Sequence, residues 1–315
     1  MTPHHAHIEP TTLCNLQCRS CNNDGLPPRR RGHLSLSALK SLIEKNRFLK
    51  DVSLIGLGEP LLNPELADMA AYLHEEGIVA RTGTNGMNLH KADLEKLLSS
   101  VVELVVSFDS ADEQSFHEIR QGADFKQIIK NVEKAVAVKK KHGLPVLLSF
   151  QTVISKKNFH LLEEIPPLAS AVGVDKMRFS AAVQYNPHTE HTENNPAYEK
   201  IRERIKSLGK NAEEEIPKEN LKNNLKSLCD HYKLEFSFSG FDPRFRECWW
   251  PGKGIFITFD GYLTPCCMRM DPDVFNFGNL FHQSFEEIRQ GDKYSRFLKF
   301  FEHGRCPEIC NECPL

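Results

Sequence analysis

Short apolar runs alternate with segments of helical periodicity through the first half of the chain. Strand-like runs fall at residues 5–9, 52–57, 79–84, 101–108, 146–154 and 176–180. Between them apolar residues recur every three or four positions, the mark of one buried helix face. The spacing predicts a helix over residues 35–46, with Ser35 or Ser37 as N-cap and Leu36, Leu39, Leu42 and Ile43 sharing a face. A second, over 64–76, has Pro64 near its first turn and Gly77 just past its end. Helices over 91–99 and 125–141 follow the same logic, the latter closed by Gly143 and Pro145. Six strands alternating with helices predict a parallel α/β sheet with right-handed crossovers. Such sheets place their ligands at the carboxyl ends of the strands.

From about Asn186 the texture becomes polar and charged, with helical patterns over 197–208 and 218–228. This stretch reads as a connecting region with solvated faces. A hairpin signal follows, with alternation from Ile255 to Phe259 and then an Asp260-Gly261 turn. The expected organisation is a barrel domain over 1–185, a helical connection over 186–247 and a small Cys-rich domain over 248–315.

Composition changes this picture mainly by exclusion. A chain of 315 residues suffices for one large domain and a smaller attachment. Its formal net charge of −2 gives no electrostatic reason to expect nucleic acid or an anionic membrane as partner. The first residues lack the basic and apolar regions of a signal peptide, and no apolar run nears the roughly 20 residues that cross a bilayer. A cytoplasmic protein is expected. There the ten cysteines would stay reduced. All but Cys229 fall in two groups, at residues 14–21 and 248–313, which reads as metal binding.

Cys14, Cys18 and Cys21 stand at C-x3-C-x2-C spacing in the loop after the first strand. Thiolates so close select zinc or an iron–sulfur cluster. A structural zinc would be closed by a fourth Cys or His. His4, His5 and His7 mostly belong to the first strand, and His33 lies further along, so nothing requires a histidine ligand. Spacing alone does not decide, because Cys306, Cys310 and Cys313 repeat it.

This cysteine loop, with the βα units behind it, resembles the radical S-adenosylmethionine (SAM) enzymes over nearly the whole chain. The resemblance implies a partial (β/α)6 TIM-like barrel and a 4Fe-4S cluster on Cys14, Cys18 and Cys21, whose open iron is chelated by SAM. One electron then cleaves SAM to methionine and a 5′-deoxyadenosyl radical that removes a substrate hydrogen. Two turns support it. "GLGEP", residues 56–60, resembles the family's GGEP motif and implies that Gly58, Glu59 and Pro60 engage the methionyl amino group, with Leu57 departing from the pattern. "GTNG", residues 83–86, resembles a turn beside SAM and brings in Thr84 and Asn85; "SFDS" similarly places Ser107 and Asp109 near SAM or substrate. Ser20 stands where the family often has an aromatic residue.

The second cysteine group resembles a SPASM or twitch extension, which implies one auxiliary 4Fe-4S cluster on Cys248, Cys266, Cys310 and Cys313, with Cys306 or Cys267 as substitutes for one of them. A structural zinc knuckle is the plainer alternative. Cys267, beside a cluster ligand, is the candidate hydrogen-atom donor; Cys229 and Cys267 are otherwise small buried residues. Trp249, Trp250, Phe256 and Phe259 read as core around the auxiliary site.

The resulting expectation is an oxidative enzyme, dehydrogenating or bond-forming. It would act on a peptide or small natural-product intermediate, with electron transfer to the auxiliary cluster and a flavodoxin- or ferredoxin-type reductant. An epimerase with Cys267 or Cys229 as hydrogen donor is the alternative within the family, and a non-catalytic iron–sulfur or zinc protein the alternative outside it. Gln151, Arg178, Gln184 and Tyr185 are positional candidates for substrate contact.

Overall fold

A computed structural model describes residues 3–18, 21, 23–155, 157–181, 218–239, 248, 250, 252–305 and 307–310. Ser20, Gln184, Tyr185, Trp249, Cys306, Cys313 and the helix expected over 197–208 lie outside them. The six expected strands form as β1 (His5–Ile8), β2 (Asp51–Leu54), β3 (Val79–Thr84), β4 (Glu103–Ser107), β5 (Leu147–Ile154) and β6 (Lys176–Ala181). Each pairs in parallel with the next. The helices between them are α1 (Leu36–Lys45), α2 (Leu66–Glu75), α3 (Leu94–Ser100), α4 (Glu113–Ile119), α5 (Phe125–His142) and α6 (Ile165–Val172). The fold is the partial βα barrel expected.

Local chemistry explains the helix starts. Ser35 caps α1 by accepting from the Ala38 amide, and Asp93, Asp112 and Asp124 do the same for α3, α4 and α5. The Asp93 cap moves the start of α3 past the expected residue 91, and residues Leu89–Lys91 form a 3-10 turn instead. The strand expected over 52–57 stops at Leu54, because residues 55–59 form the glycine-rich loop.

The parallel run is longer than six. After α7 (Lys218–His231), β7 (Glu235–Ser239) adds in parallel to β6. The expected hairpin forms as β8 (Gly254–Ile257) and β9 (Tyr262–Thr264), with Gly261 at φ +88 in its turn. Strand β8 also pairs in parallel with β1, Ala6 level with Ile255 and Ile8 with Ile257. One sheet therefore runs β10-β9-β8-β1-β2-β3-β4-β5-β6-β7, with β10 (Gly278–Asn279) at its edge. Helices α8 (Phe285–Gln290) and α9 (Asp292–Glu302) follow it in sequence.

Side chains alternate across the pleat. Phe150 on β5 points to the helices and stacks on Phe108, centroids 4.4 Å apart at 11°, with Phe116 and Phe125 against Phe108. The opposite, inward face is polar. It carries His5, His7 and Glu9, Asp51 and Ser53, Arg81, Glu103 and Ser107, Ser149 and Gln151, and Lys176, Arg178 and Ser180. Among the described residues no helix is long and apolar enough to cross a membrane.

Phe150→Ala is expected to cost about 3–5 kcal/mol, since it empties a fully buried aromatic site. Phe300→Ala on exposed α9 should stay within about 0.5 kcal/mol. Thermal denaturation of both variants checks this contrast.

Candidate active site

The first cysteine loop leaves the carboxyl end of β1, and its half-buried thiols are met by backbone donors. The Leu16 amide donates to Cys14 Sγ and the Asn23 amide to Cys21 Sγ, each at 3.4 Å. Burial pushes the Cys14 thiol up, and the Leu16 amide works against that shift. Asn23 fastens the loop by donating to the carbonyls of Thr12 at 2.6 Å and Leu57 at 3.1 Å. The Gln17 amide donates to the Gln121 carbonyl at 2.9 Å, docking the turn after α4 on the loop between Cys14 and Cys18.

The GLGEP loop lies directly against this one. A Cβ on Gly58 would sit 2.3 Å from the Thr11 carbonyl oxygen and 2.6 Å from that of Leu13, so only glycine allows the approach. The Glu59 amide donates to the same Leu13 carbonyl at 2.8 Å. Its buried carboxylate accepts from Thr84 Oγ1 at 2.6 Å, the Asn85 amide at 2.6 Å and the Leu61 amide at 3.2 Å. Burial raises its pKa, and these bonds pull the other way. Asn85 then donates to Asn15 Oδ1 at 2.8 Å, within the cysteine loop. Gly58, Glu59, Pro60, Thr84 and Asn85 thus form one assembly with the first cysteine set.

Ser107 and Asp109 close β4. Both carboxylate oxygens of Asp109 are committed to protein, Oδ1 to the Val153 amide at 2.8 Å and Oδ2 to Arg120 Nε at 2.8 Å. Its role is therefore to hold Arg120, a residue the sequence reading passed over. Burial opposes the Arg120 charge, but Asp109 with Cys18 and Cys21 outweighs it and holds the pKa above the ordinary arginine value.

Cys248 and Cys266 of the second cysteine set lie toward the other end of the β1–β8 pair. Trp250, two residues after Cys248, lies against Gly254 at the start of β8, and its ring centroid is 4.8 Å from that of His7. Strand β9 returns antiparallel to β8, Thr264 opposite Phe256, so the continued register brings Cys266 level with Gly254. Buried Arg269 closes the Cys266 turn through its amide, at 3.0 Å from the Cys266 carbonyl, and donates from Nε to the Ile309 carbonyl at 2.6 Å, beside Cys310. Arg269 was another residue missed. Half-buried Cys267 sits in the same turn, whereas Cys229 belongs to the hydrophobic core, its thiol pushed up to about 12 by burial.

One buried carboxylate joins both regions. The Glu9 amide donates to the Ile257 carbonyl at 2.9 Å, Glu9 Oε1 accepts from the Leu57 amide at 2.9 Å, and Oε2 from the Phe259 amide at 3.4 Å. Beside it, buried Arg30 pairs with Asp260 of the hairpin turn and lies 5.4 Å from the Tyr262 ring centroid.

Residues 8–164 match the model of the radical SAM superfamily, and residues 248–314 that of the SPASM iron-sulfur cluster-binding domain. A probable GTP 3′,8-cyclase of Methanococcus maripaludis is 27% identical over 268 residues, 83% of this chain and 84% of that protein. An AdoMet-dependent heme synthase of Methanosarcina barkeri is 25% identical over 331 residues, 97% of this chain and 89% of that one. In fold the chain is similar to Streptococcus suis SuiB bound to its precursor peptide SuiA, with TM-score 0.70, 15% identity, and coverage of 99% of this chain and 70% of that one. The residues present fit the cofactors these matches imply. Amide bonds to Cys14 and Cys21 favour thiolates, the form that ligates an iron–sulfur cluster.

The Glu9 carboxyl is pushed up from 4.5 to about 7, by burial first, while its two amide bonds and Arg30 act in the opposite direction. The native state therefore holds a proton that the unfolded chain has released. This contribution to stability is fully present below pH 4.5 and is lost as pH rises through about 7. The stability difference between the native protein and Glu9→Gln should change by on the order of 3 kcal/mol across that window. Denaturant titration at several pH values checks it, and parallel profiles for the two proteins would contradict it.

Proposed function

The chain belongs to the radical SAM superfamily, and from that premise we propose that it is an oxidative radical SAM enzyme that modifies a peptide. A 4Fe-4S cluster, SAM and auxiliary iron–sulfur binding come with the two matched regions. Cys14, Cys18 and Cys21 would hold the first cluster, and Cys248, Cys266, Cys310 and Cys313 the second. When bound, the first cluster with SAM supplies one-electron cleavage and removal of a hydrogen atom from an unactivated C–H, and the second supplies a one-electron acceptor.

The chain's own residues prepare for that chemistry. Glu59, oriented by Thr84 and the Asn85 amide, accepts only one hydrogen bond on Oε2 and so keeps an acceptor position there suited to the amino group of SAM, with Gly58 and Pro60 shaping the backbone around it. Asp109 fixes Arg120 beside the cysteine loop, and Ser107 lies at the lumen end of β4. Cys267 is the candidate hydrogen donor should the reaction be redox-neutral; Cys229, enclosed by core, is not placed to serve.

The observation that carries the oxidative reading is that Cys14, Cys18 and Cys21 follow the carboxyl end of β1 while Cys248 and Cys266 lie toward the amino end of its partner β8, with a polar lumen face beside them. A substrate in that lumen lies between a hydrogen-abstracting end and an electron-accepting end. The peptide reading is supported by fold likeness to SuiB with its precursor peptide; the relatives named as a cyclase and a heme synthase make small-molecule substrates the competing case.

Reconstituted without oxygen and reduced, the protein should convert SAM to 5′-deoxyadenosine. Cys14→Ala/Cys18→Ala/Cys21→Ala should abolish that product yet retain about four irons per chain. Mass spectrometry should then find a peptide that has lost two hydrogens. Deuterium uptake from heavy water without mass loss would point to epimerisation, GTP consumption would replace the peptide reading, and no 5′-deoxyadenosine at all would refute the enzyme.

A further inference from the structure

Midway along the barrel interior, Arg178 on β6 is held by a carboxylate that leaves part of it unused. Phe150 faces the helices, so Met177, level with it on β6, faces them too, and Arg178 points inward. Its Nε donates to Glu103 Oε1 at 3.0 Å and its Nη2 to Oε2 at 2.6 Å. Glu103 Oε1 also accepts from Ser149 Oγ at 2.5 Å. The Glu103 side chain, 5% exposed, thus takes two hydrogen bonds on Oε1 and one on Oε2, and its charge is turned toward Arg178. The Arg178 side chain is 33% exposed, and among the described residues no acceptor meets its Nη1.

The flanking positions complete a seat. In register with Arg178 stand Gln151 on β5 and Ser237 on β7, and Ser107 lies level with Gln151 on β4. Gln151 Nε2 donates to Ser180 Oγ at 3.0 Å, one step further up the lumen. A fixed planar cation beside neutral donors matches an oxyanion, because a guanidinium locked on one edge loses little freedom when the other edge binds.

We propose that Arg178 is a substrate-recognition residue that receives a carboxylate or phosphate group of the substrate, positioned for it by Glu103 and Ser149. The inference rests on the radical SAM reading, which makes the lumen the reaction chamber. It adds that the substrate carries an anion at a fixed place relative to the attacked C–H.

The test uses the reconstituted full chain with SAM, titrated calorimetrically with four probes: a short glutamate-rich peptide, its glutamine counterpart, GTP and guanosine. Either the acidic peptide or GTP should bind at least about tenfold more tightly than its uncharged counterpart, and which one does separates carboxylate from phosphate. Arg178→Gln should erase that preference without altering the uncharged probe, and Arg178→Lys should restore part of it. Because Arg178→Gln strands a buried carboxylate, the Glu103→Gln/Arg178→Gln double variant is measured as well, and it should show the same loss. SAM conversion to 5′-deoxyadenosine is followed in every sample. Its absence from the native protein would overturn the enzyme reading, and this inference with it. Its presence without any anion preference, or with a preference unchanged in the double variant, would overturn the role of Arg178 alone.

Discussion

The pairing of β8 with β1 is the constraint on which the rest depends. It joins residues some 250 positions apart into one ladder, and Glu9 reinforces it just where the first cysteine loop begins. A buried carboxylate is costly unless hydrogen-bonded, and Glu9 uses the Leu57 and Phe259 amides for that purpose. The GLGEP loop, the first strand and the C-terminal hairpin consequently meet at one side chain. The Arg30–Asp260 ion pair secures the same junction from the segment after the cysteine loop. The segments that lead into the first cysteine loop and out of Cys248 are thereby tied into one continuous sheet.

The second organising feature is a barrel whose inward face is largely polar. Its charges come in matched sets, Arg81 with Asp51, Arg178 with Glu103, and Lys176 with Glu235. Pairing offsets part of the desolvation cost of carrying charge on this face. His7, half-buried against Trp250 and Phe256, has its pKa driven down to about 3 by desolvation and is neutral near pH 7. Such an interior orients a polar substrate more readily than it excludes one.

The cysteine loop, the GEP and TNG turns and the first six strands were legible in the sequence because each is encoded within a few residues. A strand announces itself by periodicity, and a turn by its Gly, Pro or Asn. What escaped was non-local. The five residues of β7 gave too little pattern, and no local rule says that β8 should dock beside β1. Arg120 and Arg269 looked like ordinary surface charges, since their partners, Asp109 and the Ile309 carbonyl, are supplied by the fold. A usable signal existed for the lumen: Glu103 in "VVELVVSF" and Lys176 and Arg178 in "KMRFS" alternate with apolar residues inside strands, where charge needs a polar inward face.

The central claim, two iron–sulfur centres at opposite ends of the β1–β8 pair, is tested most directly by a pulsed electron paramagnetic distance measurement. The sample is the fully reconstituted protein with both centres reduced. Four residue steps of strand separate His5, level with Gly254, from Glu9, so the two centres should lie at least about 13 Å apart. A clearly shorter separation, with both cysteine sets on one side of the sheet, would contradict the account.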